Sequence, residues 1–111
     1  IISTVRFYND DSLYSTINVP LKTTLDAANK LTIIGKKIYA PLNPTKASNQ
    51  AYYYDFEQWA VRKATYSEDF VWEYETDSVT WTEDYLVVAD TRIDAEYSQH
   101  LPPLPWEAPL L

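Results

Sequence analysis

An α+β fold is the class this 111-residue sequence predicts, on three observations. Apolar and polar residues alternate on either side of "NDDS" within residues 4–20. Residues 23–35 have helical spacing and end on the only Gly of the chain. Residues 51–66 and 70–82 are rich in aromatic and β-branched side chains, which suit a pleated surface. The predicted order is an N-terminal β-hairpin, a helix and a short strand. An antiparallel meander with a late helix follows, and then a Pro-rich C-terminal tail. Residues 1–101 are read as a single α+β domain and residues 102–111 as the tail.

The hairpin comes first. Val5 and Phe7 alternate with Arg6 and Tyr8, and Leu13, Ser15, Ile17 and Val19 alternate with Tyr14, Thr16 and Asn18. The four residues between carry turn chemistry. In "TTLDAANKLTIIG", Leu25, Ala28 and Leu31 fall on one helical face, with Ile34 close to it. Thr23 or Thr24 would cap that helix and Asp26 would suit its positive end. Gly35 stands where a C-terminal cap belongs, followed by Lys36 and Lys37. Residues 36–41 then read as a short strand, and residues 41–50, with two Pro, as a loop.

Residues 51–66 admit two readings. Tyr52, Tyr54 and Phe56 alternate as in a strand, whereas Phe56, Trp59, Ala60 and Lys63 could share a helix face. Side-chain type favours the strand. In "EDFVWEYETDSVTWTED" (68–84), a turn at Asp77-Ser78 would set Tyr74 opposite Trp81. Phe70, Trp72, Tyr74, Val79 and Trp81 would then share the buried face, because alternate side chains point the same way. Residues 85–93 continue as strand or start a helix, with the doubled Val favouring strand. Residues 90–101 read as the late helix, with Ile93, Tyr97 and Leu101 at i, i+4 and i+8. The tail "LPPLPWEAPLL" holds four of the seven Pro and suits an extended strap docked through Trp106, Leu110 and Leu111.

Charge is the strongest functional signal. Residues 1–63 carry eight bases and five acids, a net +3. Residues 64–111 carry one base and eleven acids, a net −10. Such a split points to electrostatic partners. Glu73, Glu75, Asp77, Glu83 and Asp84 are the expected partner-binding face, four on one exposed side of the meander and Asp77 at its turn.

Several classes are disfavoured. The chain has no Cys, which excludes disulfides, thiolate catalysis and Cys-ligated metals. One His, His100, gives little for a nucleophilic triad and no multi-His metal site. One Gly leaves no phosphate-cradling loop. No cofactor is expected. The net charge of −7 opposes direct nucleic-acid binding. The longest apolar runs, such as "YLVVA", are too short to span a membrane, and a cytoplasmic location is expected.

The function expected is therefore that of a small acidic, non-enzymatic protein-binding domain that engages a basic surface. Phage or mobile-element inhibitors and immunity-type proteins are of this general kind. The alternative is a structural subunit of a homo- or hetero-oligomeric assembly, with self-association of the positive front half on the negative back half. A carbohydrate-binding module or a small acid/base enzyme comes third.

Overall fold

The computed structural model describes residues 1–66 and 72–102. Among these residues there is no helix. The fold is sheet-rich, and the α+β expectation is corrected.

A six-stranded sheet forms the body. Its strands are β1 (Ile2–Asn9), β2 (Ser12–Pro20), β6 (Tyr53–Tyr66), β7 (Trp72–Tyr74), β8 (Val79–Thr80) and β10 (Thr91–His100). The order across it is β2-β1-β10-β6-β7, with β8 also on β6. The first and last strands lie side by side and parallel, Val5 opposite Thr91 and Phe7 opposite Ile93. All other pairs in the sheet are antiparallel. Two small ribbons complete the chain. One pairs β3 (Lys22–Leu25) with β4 (Leu31–Ile34), the other β5 (Lys36–Lys37) with β9 (Leu86–Val87).

β1 and β2 form the hairpin read from residues 4–20. Asp10 and Asp11 both take left-handed backbone angles, φ 51° and 63°. A two-residue loop with both φ positive matches the twist of the strands it joins, and Asp tolerates that region.

The helix expected over residues 23–35 is instead the β3–β4 ribbon. The Asp26 carboxylate does not cap a helix. Its Oδ1 accepts hydrogen bonds from the backbone N–H of Ala28 (2.8 Å) and Lys30 (2.9 Å), and Asn29 is left-handed at φ 59°. Short polar side chains offer the backbone this alternative to a helix. The β-branched Thr23, Thr24, Thr32 and Ile33 around the turn then pair as strands, Thr23 opposite Ile33 and Thr24 opposite Thr32. Gly35 has no positive φ and ends no helix.

The helix expected over residues 90–101 is β10, a strand in the middle of the sheet. Spacing of four is even, so it keeps Ile93 and Tyr97 on one face of a strand as well as of a helix. Asp90, read as a helix cap, accepts a hydrogen bond from the Thr4 N–H at 2.8 Å and fastens the strand's start to β1.

Residues 51–66 take the strand reading, as β6. The hairpin expected at Asp77-Ser78 does not form. β7 and β8 both pair with β6: Tyr74 faces Ala64, Val79 faces Val61, and Thr80 faces Ala60. The Trp81 N–H continues the ladder to the Trp59 carbonyl at 2.8 Å. Tyr74 is therefore not opposite Trp81. Residues 75–78 bend between two stretches of one interrupted strand. Neither Asp77 nor Ser78 takes the left-handed angle that a tight two-residue hairpin turn needs, and the 14-residue β6 offers a long edge to pair with. Of the expected aromatic face, Trp81 packs on the core, Tyr74 is half-buried and Val79 is 58% exposed. Phe70 and the tail segment 103–111, with Trp106, Leu110 and Leu111, lie outside the described residues.

The core covers one face of the sheet. Val5, Phe7, Val19, Trp59, Val61 and Ile93 project from it, and Leu21, Ile38 and Val87 cover them from the β5–β9 side. Phe7 meets Trp59 edge to face at 5.1 Å, and Phe56 meets it at 5.3 Å. Full burial of each such side chain contributes about 1.5–3 kcal/mol.

Candidate functional site

Three surfaces carry features that packing does not use: an acidic edge, an apolar and basic arm, and an arginine row. Each grows from the topology above.

The acidic edge is the outer side of β7 and β8 and the loop after them. Both strands pair only with β6 among the described residues, so their outer backbone groups face away from the sheet. Glu73, Glu75, Asp77, Glu83 and Asp84 are all exposed. Of the five acids chosen from the sequence, Glu73, Glu75 and Asp77 lie on β7 and the bend after it, while Glu83 and Asp84 follow β8 beside Lys37 and Tyr39; the hairpin that was to gather them is absent. Asp84 forms an ion pair with Lys37, whose Nζ lies 3.3 Å from its Oδ1. Edge strands with charged residues resist unwanted pairing, which is the structural role such acids most simply serve.

The arm is the β3–β4 ribbon. All eight of its strand residues are exposed. They include Leu25 at 64%, Leu31 at 56%, Ile34 at 46% and Ile33 at 37%. Lys22 and Lys30 add positive charge. At its root, Gly35 permits close packing on β9: a Cβ there would stand 2.8 Å from Leu86 Cβ. Sequence reading missed the arm because its apolar spacing also fits a helix.

The arginine row lies on the polar face of the sheet. Arg6 of β1 is opposite Arg92 of β10, which is opposite Arg62 of β6. Residues directly opposite share a face, so the three Arg side chains leave the sheet from neighbouring positions on that face. Arg92 is held by Asp94 through Nε (3.0 and 3.1 Å) and Nη2 (2.9 Å), by Asp11 (3.0 Å), and by the ring of Tyr8 at 3.9 Å. Its hydrogen bonds to Asp94 raise its already high pKa, against the smaller opposing effect of burial. Arg62 has its Nε buried without a hydrogen-bond partner. These residues are 30 or more positions apart pairwise, so only the strand register brings them together.

One arrangement imitates a hydrolase site. Ser98, His100 and Asp55 cluster where β6 and β10 pair near Tyr53. Ser98 Oγ lies 3.0 Å from His100 Nε2, and Asp55 Oδ2 lies 3.3 Å from the same nitrogen. A catalytic relay needs the carboxylate on one ring nitrogen and the hydroxyl on the other. Here both compete for one, and the imidazole instead stacks on Tyr53 at 5.0 Å. A cleft of about 330 Å³ beside Asp10, Lys46, Tyr54 and Tyr97 is also occupied by its own contacts. Lys46 pairs with Asp10 (3.7 Å) and sits over the Tyr54 ring (4.6 Å). Among the described residues no three His, Asp or Glu are grouped to hold a metal ion. No helix among them is long and apolar enough to cross a membrane.

No family model, curated protein or solved structure matches the chain.

Proposed function

We propose that this chain is a structural, protein-binding subunit that docks through the β3–β4 arm. The observation that carries this reading is that all eight strand residues of the arm are exposed, four of them large and apolar. An isolated two-stranded hairpin is marginal in water. The register puts exposed Leu25, Leu31 and Ile33 on one face of the ribbon, with Ile34 beside Lys22 on the other, and clustered exposed apolar side chains of this kind mark interaction surfaces. Covering them with a partner removes that apolar area from water and supplies packing that the described residues of the chain do not give the ribbon. The acidic edge assists by steering the approach of positive charge, an effect on association rate and specificity that salt weakens.

A second reading uses the acidic edge alone, as an inhibitor or immunity-type surface for a basic partner. The exposure of all five acids favours it.

Site-specific photo-crosslinking separates the two. A photoreactive amino acid is placed at position 31 on the arm, and in separate chains at position 77 on the edge and at position 53 as a control. Crosslinks to a protein from position 31 in the native host support the arm. Crosslinks from position 77 without any from position 31 support the second reading. Equal, weak labelling from all three positions contradicts both.

A further inference from the structure

We infer that the arm's partner is a second copy of this chain, and that the arm lies along the acidic outer edge of that copy's sheet. The inference rests on the reading of the arm as a docking element. Three features fit.

The first is charge. From Lys22 to Lys37 the chain has Lys22, Lys30, Lys36 and Lys37 against one acid, Asp26, whose carboxylate is turned into its own loop. From Glu73 to Asp84 it has five acids and no base. The two surfaces already meet at one point within the chain, where Lys37 pairs with Asp84 at 3.3 Å.

The second is backbone. β7 and β8 pair with β6 alone, and β3 and β4 pair only with each other, among the described residues. Each therefore presents a row of N–H and C=O groups to an incoming strand. Adding a strand to a free edge is a general mode of recognition, with the backbone supplying affinity and the side chains specificity.

The third is apolar matching. Val79 is 58% exposed on the edge, and Leu25, Leu31, Ile33 and Ile34 are exposed on the arm. A foreign basic protein would satisfy the edge but leave the arm uncovered. A foreign acidic, apolar protein would do the reverse. A second copy satisfies both. Because the root of the arm touches the acidic segment, two copies can exchange arms reciprocally, giving a closed two-fold pair in which each contact occurs twice.

The test is sedimentation velocity on the full chain over a concentration series at low and moderate salt. The wild type is compared with K22E/K30E on the arm and E75K/D77K on the edge, each checked for an unchanged circular dichroism spectrum. The wild type should form a dimer whose dissociation constant rises with salt. Each reversed variant should be monomeric where the wild type is dimeric, a loss of about tenfold or more in affinity for removing several opposite-charge contacts. The equimolar mixture should dimerise again, because the acidic arm of K22E/K30E meets the basic edge of E75K/D77K and the basic arm of E75K/D77K meets the acidic edge of K22E/K30E. A wild type that is monomeric throughout, reversals without effect, or a mixture that stays monomeric would each overturn the inference. If the wild type is monomeric while position 31 crosslinks to a different protein in the host, the second-copy assignment falls and the docking reading stands. If neither dimer nor crosslink appears, both fall.

Discussion

Gly35 packs so closely on Leu86 that a Cβ at position 35 would stand 2.8 Å from Leu86 Cβ and 3.1 Å from Val88 Cγ1. The only Gly of the chain therefore serves close approach at the root of the arm and not a left-handed turn. Gly35→Ala should push β5 off β9 and cost about 1–3 kcal/mol, the usual range for overpacking. Urea unfolding of the variant measures this, and an unchanged midpoint would show that the root yields freely.

Core and arm should respond oppositely to substitution. Phe7 is fully buried and meets Trp59 at 5.1 Å. Phe7→Ala should cost about 3–5 kcal/mol through lost burial and the cavity left behind. Leu25 is 64% exposed, and Leu25→Ser should change the stability of the dilute chain by about 0.5 kcal/mol or less. The same change should weaken association. Equal destabilisation by both would mean that the arm is packed within its own chain.

Asp94 neutralises the middle of the arginine row. Its two oxygens accept from Arg92 at 2.9–3.1 Å, and both side chains are under a quarter exposed. Asp94→Ala leaves Arg92, whose neighbours in register are Arg6 and Arg62, with the exposed Asp11 as its remaining acidic partner among the described residues. The expected loss is about 1–3 kcal/mol, the cost of leaving a charged hydrogen-bond donor unsatisfied. Added salt should recover part of it by screening the arginines from one another. A salt-independent loss would assign the effect to packing.

Stability should fall in alkali for a specific reason. Burial raises the phenol pKa values of Tyr85 and Tyr97 above the ordinary value of 10.0. Between the unfolded and folded values the native chain holds a proton that the unfolded chain has released. The contribution is thus complete below the unfolded value and is lost as pH rises through the folded one. Unfolding free energy measured from pH 9 upward should decline beyond about 10, and Tyr85→Phe should flatten that decline. Tyr97→Phe flattens it too but also removes the hydrogen bond to Asn9 Oδ1 at 2.6 Å, which lowers the whole curve. An identical slope in Tyr85→Phe would exclude this cause.

These relationships differ in how far the sequence discloses them. The first hairpin is legible because alternation and an Asp-Asp turn lie within 20 residues. The five acids are legible as an exposed set because charge alone keeps them in water. The two expected helices fail for one shared reason. Apolar spacing has two solutions in each: Ile93 and Tyr97, four apart, share a face of a strand as well as of a helix, and Leu25 and Leu31, six apart, meet as cross-strand partners once the chain turns between them. The pairing of β8 with β6 and the parallel neighbours β1 and β10 join segments far apart in the chain, as does the row Arg6–Arg92–Arg62. Local pattern contains no information on those contacts. The Pro-rich tail and its Trp106 lie outside the described residues, and the strap reading of it is untouched by these findings.

If residues 22–34 are an arm completed by docking, amide hydrogen exchange of that segment shows it most directly. The full chain is followed at low concentration and at concentrations where it associates, with β10 as internal reference. In the dilute chain, amides of residues 22–34 should exchange far faster than those of β10, because a lone ribbon opens locally at little cost. On association their exchange should slow by about tenfold or more while β10 is unchanged, since a complex populated at ten times its dissociation constant shifts local opening by that factor. Slow exchange of residues 22–34 in the dilute monomer, equal to that in every other condition, would contradict the claim, because the ribbon would then need no partner.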